Sequence, residues 1–255
     1  MLVAEPRVSV VMPVYGRPSL ALEAVASIVQ QTVAVELIVV DDGSAEDMTA
    51  VWRAVECAGG IYVQRPHEGI ARARNAGAAL ASRQWLAFVD SDDVLLPNKL
   101  RAQVSAVEAA KAAWGFCGYE VTDRAGGRRA EQRLRRLEDR FWLHACPFGA
   151  TALLLDRLHF HEVGGFDTSF EVCEDWDLIV RLGASGAPAA VAEPLYAYRL
   201  DCGNITASND EMWYRGWRQL CDKHGIRPSL MSYPGIGMSW DATRRFERFC
   251  RMRAA

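Results

Sequence analysis

Trp85-Leu86-Ala87-Phe88-Val89-Asp90-Ser91-Asp92-Asp93 joins an apolar run of strand length to three carboxylates. Such a run fits best inside a sheet covered on both faces. In an extended chain, residues two apart share a side, so Asp90 and Asp92 can address one spot. Carboxylates held that close repel each other, and a hard divalent cation relieves the repulsion. Mg2+ typically takes one or two protein carboxylates and completes its shell with phosphate oxygens and water. The stretch therefore points to a metal–diphosphate site at a strand end. A solvated acidic turn after a core strand is the plainer alternative, since Asp favours turns.

Upstream of this stretch, strand and helix patterns alternate. Residues 8–14 are rich in β-branched side chains and read as a first strand. Pro18 and Ser19 open a helix to about residue 31, with Leu22, Val25 and Val29 on one face. A second strand, 36–40, ends in Asp41-Asp42-Gly43-Ser44, and a helix over about 45–57 is stopped by Gly59-Gly60. A third strand covers 61–64, an Ala-rich helix 69–80, and the fourth strand 85–89. This rhythm predicts an α/β protein with a parallel sheet and helices on both faces. Downstream, a helix follows Pro97 to about residue 113 and a strand covers 114–122. Residues 123–140 are polar and Arg-rich, with Gly126-Gly127 as a turn, and are expected at the surface. Residues 151–155 read as a strand and about 175–183 as a helix whose acidic start suits its positive end.

At 255 residues and 50% hydrophobic, the chain can bury one large core. A net charge of −3 and a pI near 6.0 argue against general nucleic-acid binding. The seven cysteines are scattered, odd in number and free of any C-x-x-C pair, so neither zinc nor a disulfide framework is indicated. Reduced cytoplasmic thiols are the simplest reading. No basic region followed by an apolar stretch opens the chain, and no apolar run reaches bilayer length. A soluble, cytoplasmic protein is expected.

Ligands of open α/β sheets sit beyond the carboxyl ends of the strands. Here those ends carry Pro13-Val14-Tyr15, Asp41-Asp42 and Asp90-Ser91-Asp92. No G-x-G-x-x-G or P-loop follows any strand, so phosphate charge must be met by a metal and by basic residues. Arg17, Arg72 and Arg74 are the candidates, although an arginine on a helix is often only a surface charge.

The chain resembles the inverting family 2 glycosyltransferases of the GT-A fold. The resemblance rests on six motifs in the family's order: Val10-Val11-Met12-Pro13-Val14-Tyr15, Val39-Val40-Asp41-Asp42-Gly43-Ser44, Arg74-Asn75-Ala76-Gly77, Val89-Asp90-Ser91-Asp92-Asp93, Gly164-Gly165-Phe166-Asp167 and Glu174-Asp175-Trp176-Asp177-Leu178. Together they cover roughly residues 7–200. The implied organisation is a GT-A domain over 1–209, with a nucleotide-binding half to about 122 and a mixed acceptor half beyond it, then a helical tail over 210–255.

The resemblance implies a metal-dependent, inverting transfer from a nucleotide sugar, most simply a UDP-sugar, to an acceptor hydroxyl. It implies that Pro13, Val14 and Tyr15 line the base pocket, where an aromatic ring offers a stacking face. Asp41 would accept a hydrogen bond from the base, with Asp42 structural. Asp90, Ser91 and Asp92 would grip the ribose and the Mn2+ or Mg2+ that bridges the diphosphate. Asp175 would be the general base for the acceptor. Gly165, Phe166 and Asp167 would line the sugars, with Glu174 beside the base. Trp176 would wall the acceptor site, or be plain core. The acceptor itself is open: a saccharide, a lipid-linked glycan or a small molecule.

One departure stands out. Many family members follow the strand at 195–198 with a loop histidine that serves as a further metal ligand, and here Asp201 falls at that place. It is a candidate ligand or a turn residue. In the tail, Phe246, Phe249 and Cys250 recur at helical spacing opposite Arg244, Arg248 and Arg251. That face could rest on anionic lipid at the inner side of a membrane, or pack on its own domain. A sugar nucleotidyltransferase and a silent nucleotide-sugar binding module are the competing functions. The first wants a Gly-rich, Arg-containing loop after the first strand, which Tyr15-Gly16-Arg17-Pro18 is too short to supply. The second predicts a broken D-x-D or a missing base.

Overall fold

The computed structural model describes residues 7–123, 126–132, 148–200 and 210–226. Four parallel strands form the first half: β1 (Val8–Val14), β2 (Val35–Asp41), β3 (Ile61–Gln64) and β4 (Trp85–Phe88). Every residue of β1 and of β4 is buried, as expected of strands covered on both faces. The connecting helices are α1 (Pro18–Val29), α2 (Thr49–Cys57) and α3 (Ile70–Leu80). The α1 stripe differs from the one expected. Leu20, Ala21, Ala24, Val25 and Ile28 face the core at helical spacing, whereas Val29 is half exposed.

β5 (Val94–Leu95) and α4 (Lys99–Ala110) lead into the long β6 (Trp114–Asp123). The polar segment after it is partly a strand, β7 (Arg128–Gln132), which pairs antiparallel with β6 around the positive-φ turn residue Gly126. A short 3-10 turn, Ala150–Ala152, precedes β8 (Leu153–Asp156) and α5 (Arg157–Glu162), where Asp156 caps the helix by accepting from the N–H groups of Leu158 and His159. α6 (Glu174–Ser185), β9 (Ala189–Leu200) and α7 (Asp210–His224) complete the described chain.

The sheet order is β3-β2-β1-β4-β8-β6-β9-β5, with β7 on β6. β8 runs antiparallel between β4 and β6, while β9 lies parallel to β6. The parallel half thus passes into a mixed half at β8, next to the strand that ends in the acidic stretch. Close packing seats α3 on β1 and β2: a Cβ added at Gly77 would lie 2.3 Å from Val11 Cγ1. No helix among the described residues is long and apolar enough to cross a membrane. Asp201 and the tail residues Arg244, Phe246, Arg248, Phe249, Cys250 and Arg251 lie outside the described residues.

Candidate active site

The C-terminal ends of β1, β2 and β4, the last two acidic, open on one side of the sheet, and α6 brings Glu174 at its N-terminus to the end of β4 through Arg74. Arg74 of α3 ties the parts together. Its Nη2 donates to Asp90 Oδ1 and its Nη1 to Glu174 Oε1, both at 2.6 Å. The guanidinium is buried and lies 5.0 Å above the ring centroid of Phe166. Burial opposes its charge, but the Asp90 and Glu174 carboxylates hold it protonated, above the ordinary arginine value. The acidic motifs of Asp90 and Glu174, far apart in sequence, thereby share one cation. Arg74 was a candidate phosphate contact; its two terminal nitrogens instead serve carboxylates. Arg72 is exposed on the same helix.

Asn75 continues the brace. Its Nδ2 donates to the Phe166 carbonyl at 2.8 Å and its Oδ1 accepts from the Phe166 N–H at 2.9 Å. Gly165 is required there: its φ is +65°, and a Cβ would lie 2.9 Å from Asn75 Oδ1. Phe166 is 2% exposed and packed edge-on to Phe88 and Phe160, so its ring belongs to the core beneath the site. Trp176 is likewise core, at 1% exposure. Asp167 is partly open and engaged by Lys223 Nζ at 2.7 Å and by the Ser169 N–H. Burial works against it, yet these bonds pull its pKa down to about 2. Lys223 also meets Asp177, which is fully buried and further held by Arg181 and His224. α7 is thus strapped to α6 and to the Gly164–Asp167 loop, a role for Lys223 and His224 that the sequence pattern did not signal.

Asp175 is the second residue of α6 and partly buried. Burial, then the negative charge of Glu174, push its pKa up to about 7; Arg74 pulls the other way and Asp90 adds to the rise. Its Oδ1 accepts from the Trp176 N–H at 2.7 Å. A carboxylate near neutrality can take a proton from a hydroxyl and hold it.

At the acidic stretch, the Asp90 N–H donates to Thr151 Oγ1 at 3.0 Å, fixing the turn. Asp92 Oδ2 accepts from Arg17 Nη1 at 3.0 Å. Burial and the nearby Asp90 charge raise the Asp92 pKa, and Arg17 opposes them. Asp93 is buried, and burial together with Asp90 and Asp92 raises its pKa further. Ser91 is 7% exposed. Among the described residues no cluster of three or more His, Cys, Asp or Glu forms a ready cage. The donor set at Asp90 and Asp92 is all oxygen and mutually repelling, which suits a hard cation sharing its shell with phosphate.

The nucleoside end differs from expectation. Pro13 and Val14 are buried in the β1–β2 ladder, and Tyr15 alone of the three is exposed. Asp41 is fully buried and its oxygens accept from Ser44, Tyr62 and Gln64, which fixes the loop after β2. Asp42 accepts from the N–H groups of Glu68 and Gly69 and meets His67 Nδ1 at 2.8 Å. His67, which the sequence reading passed over, stacks on Tyr15 with ring centroids 4.3 Å apart. The open aromatic surface at this mouth is the Tyr15–His67 pair.

The fold has counterparts among solved glycosyltransferases. S. aureus TarS in complex with UDP-GlcNAc superposes with a TM-score of 0.72 at 15% identity, over 96% of this chain and 71% of that one. A Pyrobaculum calidifontis mannosyltransferase in complex with GDP-Man and Mn2+ gives 0.67 at 18% identity, over 98% and 70%. The architecture is that of the GT-A glycosyltransferases. At the level of sequence, the profile of glycosyl transferase family 2 matches residues 9–174, and the chain belongs to that family. A validoxylamine A glucosyltransferase of Streptomyces hygroscopicus is 32% identical over 226 residues, covering 73% of this chain and 54% of the relative. An uncharacterized glycosyltransferase of Rickettsia prowazekii is 30% identical over 185 residues, covering 68% and 57%. The chain spans only about a third to three fifths of the length of such relatives.

Proposed function

We propose that the protein transfers a sugar from a nucleotide-sugar donor to an acceptor hydroxyl with inversion, using Asp175 as general base. The observation that carries this reading is the Arg74 bridge, which joins Asp90 of the D-x-D to Glu174 beside Asp175. Asp175 removes the hydroxyl proton as the acceptor oxygen forms its bond to the anomeric carbon. The bond from that carbon to the diphosphate breaks, and the diphosphate leaves with the electron pair. Attack opposite the leaving group inverts the configuration. Its pKa near 7 suits Asp175 to this work at neutral pH.

Asp92 and Asp90 would hold Mn2+ or Mg2+, which supplies Lewis-acid neutralisation of the departing diphosphate. Tyr15 and His67 offer the base its stacking face. A UDP-sugar is the favoured donor, in keeping with the UDP-GlcNAc complex of TarS, although the mannosyltransferase structure holds GDP-Man.

Incubation with UDP-sugars and Mn2+, read as released UDP, tests the assignment. Slow donor hydrolysis that requires Mn2+ and Asp92 supports it. Pyrophosphate-dependent formation of UTP would replace it with a nucleotidyltransferase.

A further inference from the structure

Asp90 and Asp92 are each met by an arginine, and the two arginines differ in kind. Arg74 is enclosed: its side chain is 2% exposed and bound on two sides by carboxylates. Arg17 lies at the surface, 39% exposed, and reaches Asp92 Oδ2 through one hydrogen bond of 3.0 Å. The Asp92 side chain is 15% exposed, so only the arginine end of the pair is open to water, and its single contact holds less firmly than the two that enclose Arg74.

The backbone at Arg17 is unusual for its residue type. It stands at φ 52° and ψ 52°, between Gly16 at φ 65° and Pro18. A left-handed non-glycine residue costs about 1–2 kcal/mol, and such strain collects at functional sites. Helix capping does not account for the arginine. Arg17 makes no side-chain cap to α1, and the helix start uses only its carbonyl, which accepts from Leu20 and Ala21. The side chain instead reaches Asp92, the carboxylate that the proposed function gives to a metal.

We propose that Arg17 is an exchangeable counterion for Asp92: its guanidinium neutralises that carboxylate, yields the oxygen to a divalent cation, and turns to the diphosphate of the bound nucleotide. The inference rests on the metal-dependent reading above. The planar fork of a guanidinium suits both partners, since carboxylate and phosphate present similarly spaced oxygens. The exchange keeps the site near charge balance in both states: Arg17 covers Asp92 in one, and the diphosphate in the other.

The signature is a pair of opposite changes in binding. Calorimetric titration of Mn2+ into nucleotide-free protein is compared with titration of UDP at saturating Mn2+, for wild type, Arg17→Met and Arg17→Gly. The glycine variant suits the left-handed backbone and guards against misfolding. Removing the competing guanidinium should tighten Mn2+ binding about two- to five-fold. UDP binding should weaken by about tenfold or more, the loss of charge-assisted hydrogen bonds. Arg17→Lys should recover part of the UDP affinity. Mn2+ binding that is unchanged or weaker in both variants overturns the proposal, as does undiminished UDP binding. Wild-type UDP binding indifferent to Mn2+ would strike the metal-dependent reading itself and take the proposal with it.

Discussion

Asp175→Asn is expected to stabilise the protein and disable it in one step. Burial and the Glu174 charge lift Asp175 from the ordinary 3.8 to about 7 against the pull of Arg74. At about 1.4 kcal/mol per pKa unit, ionising this carboxyl in the fold costs up to roughly 4 kcal/mol relative to the unfolded chain. Asp175 is only partly buried, so solvent screening leaves about 1–2 kcal/mol of that. Between pH 3.8 and about 7 the folded protein keeps a proton that the unfolded chain has released, so stability falls as pH rises through that window. The amide escapes the penalty and still accepts from the Trp176 N–H through Oδ1. Its Tm should exceed that of wild type by about 2–6 °C at pH 8, and the gain should fade towards pH 4. Transfer should drop about 100- to 10,000-fold with UDP affinity intact. Wild-type turnover should rise with pH through about 7. Scanning fluorimetry from pH 4 to about pH 8 beside UDP release provides the assay. A variant that keeps its transfer rate, or gains no stability at pH 8, refutes the reasoning.

Other substitutions probe the supports. Arg74→Met leaves Asp90 and Glu174 without their shared cation and should cost about 3–5 kcal/mol in urea unfolding. Gly77→Ala drives a methyl to 2.3 Å from Val11 Cγ1 and 3.1 Å from Val40 Cγ2, and should cost about 1–3 kcal/mol in the same measurement. Tyr15→Ala removes an exposed ring, so Tm should hold while UDP affinity falls about three- to tenfold in a calorimetric titration.

Much of the fold was legible because the first half obeys simple periodicities. The apolar runs at Val8–Val14 and Trp85–Phe88 are buried throughout, as parallel central strands are. β7 was not, since Arg128–Gln132 is polar and owes its pairing to β6. α5 has six residues, too few to show a period. On α1, Val25 is buried and Leu22 packs on the core as expected, while Val29 yields its place in the stripe to Leu20 and Ile28, a choice that only contact with the sheet decides.

The site divides along the same line. Motif residues told which side chains matter but not whom they touch. Arg74 reads as a phosphate contact or a surface charge until the fold brings Glu174 to it. Phe166 and Trp176 resemble sugar-stacking aromatics in sequence, yet the chain uses both to fill its core. Asp41 and Asp42 are adjacent, and nothing local reveals that four donors satisfy the first. His67 lacks any periodic context, and only the approach of two loops stacks it on Tyr15.

A crystal structure with UDP and Mn2+ bound tests the central claim most directly. The account predicts the ion at Asp92, the diphosphate beside it, and the Asp175 carboxyl facing the place where the donor's anomeric carbon would sit. A nucleotide lodged elsewhere, or an Asp175 turned away from it, would contradict the account.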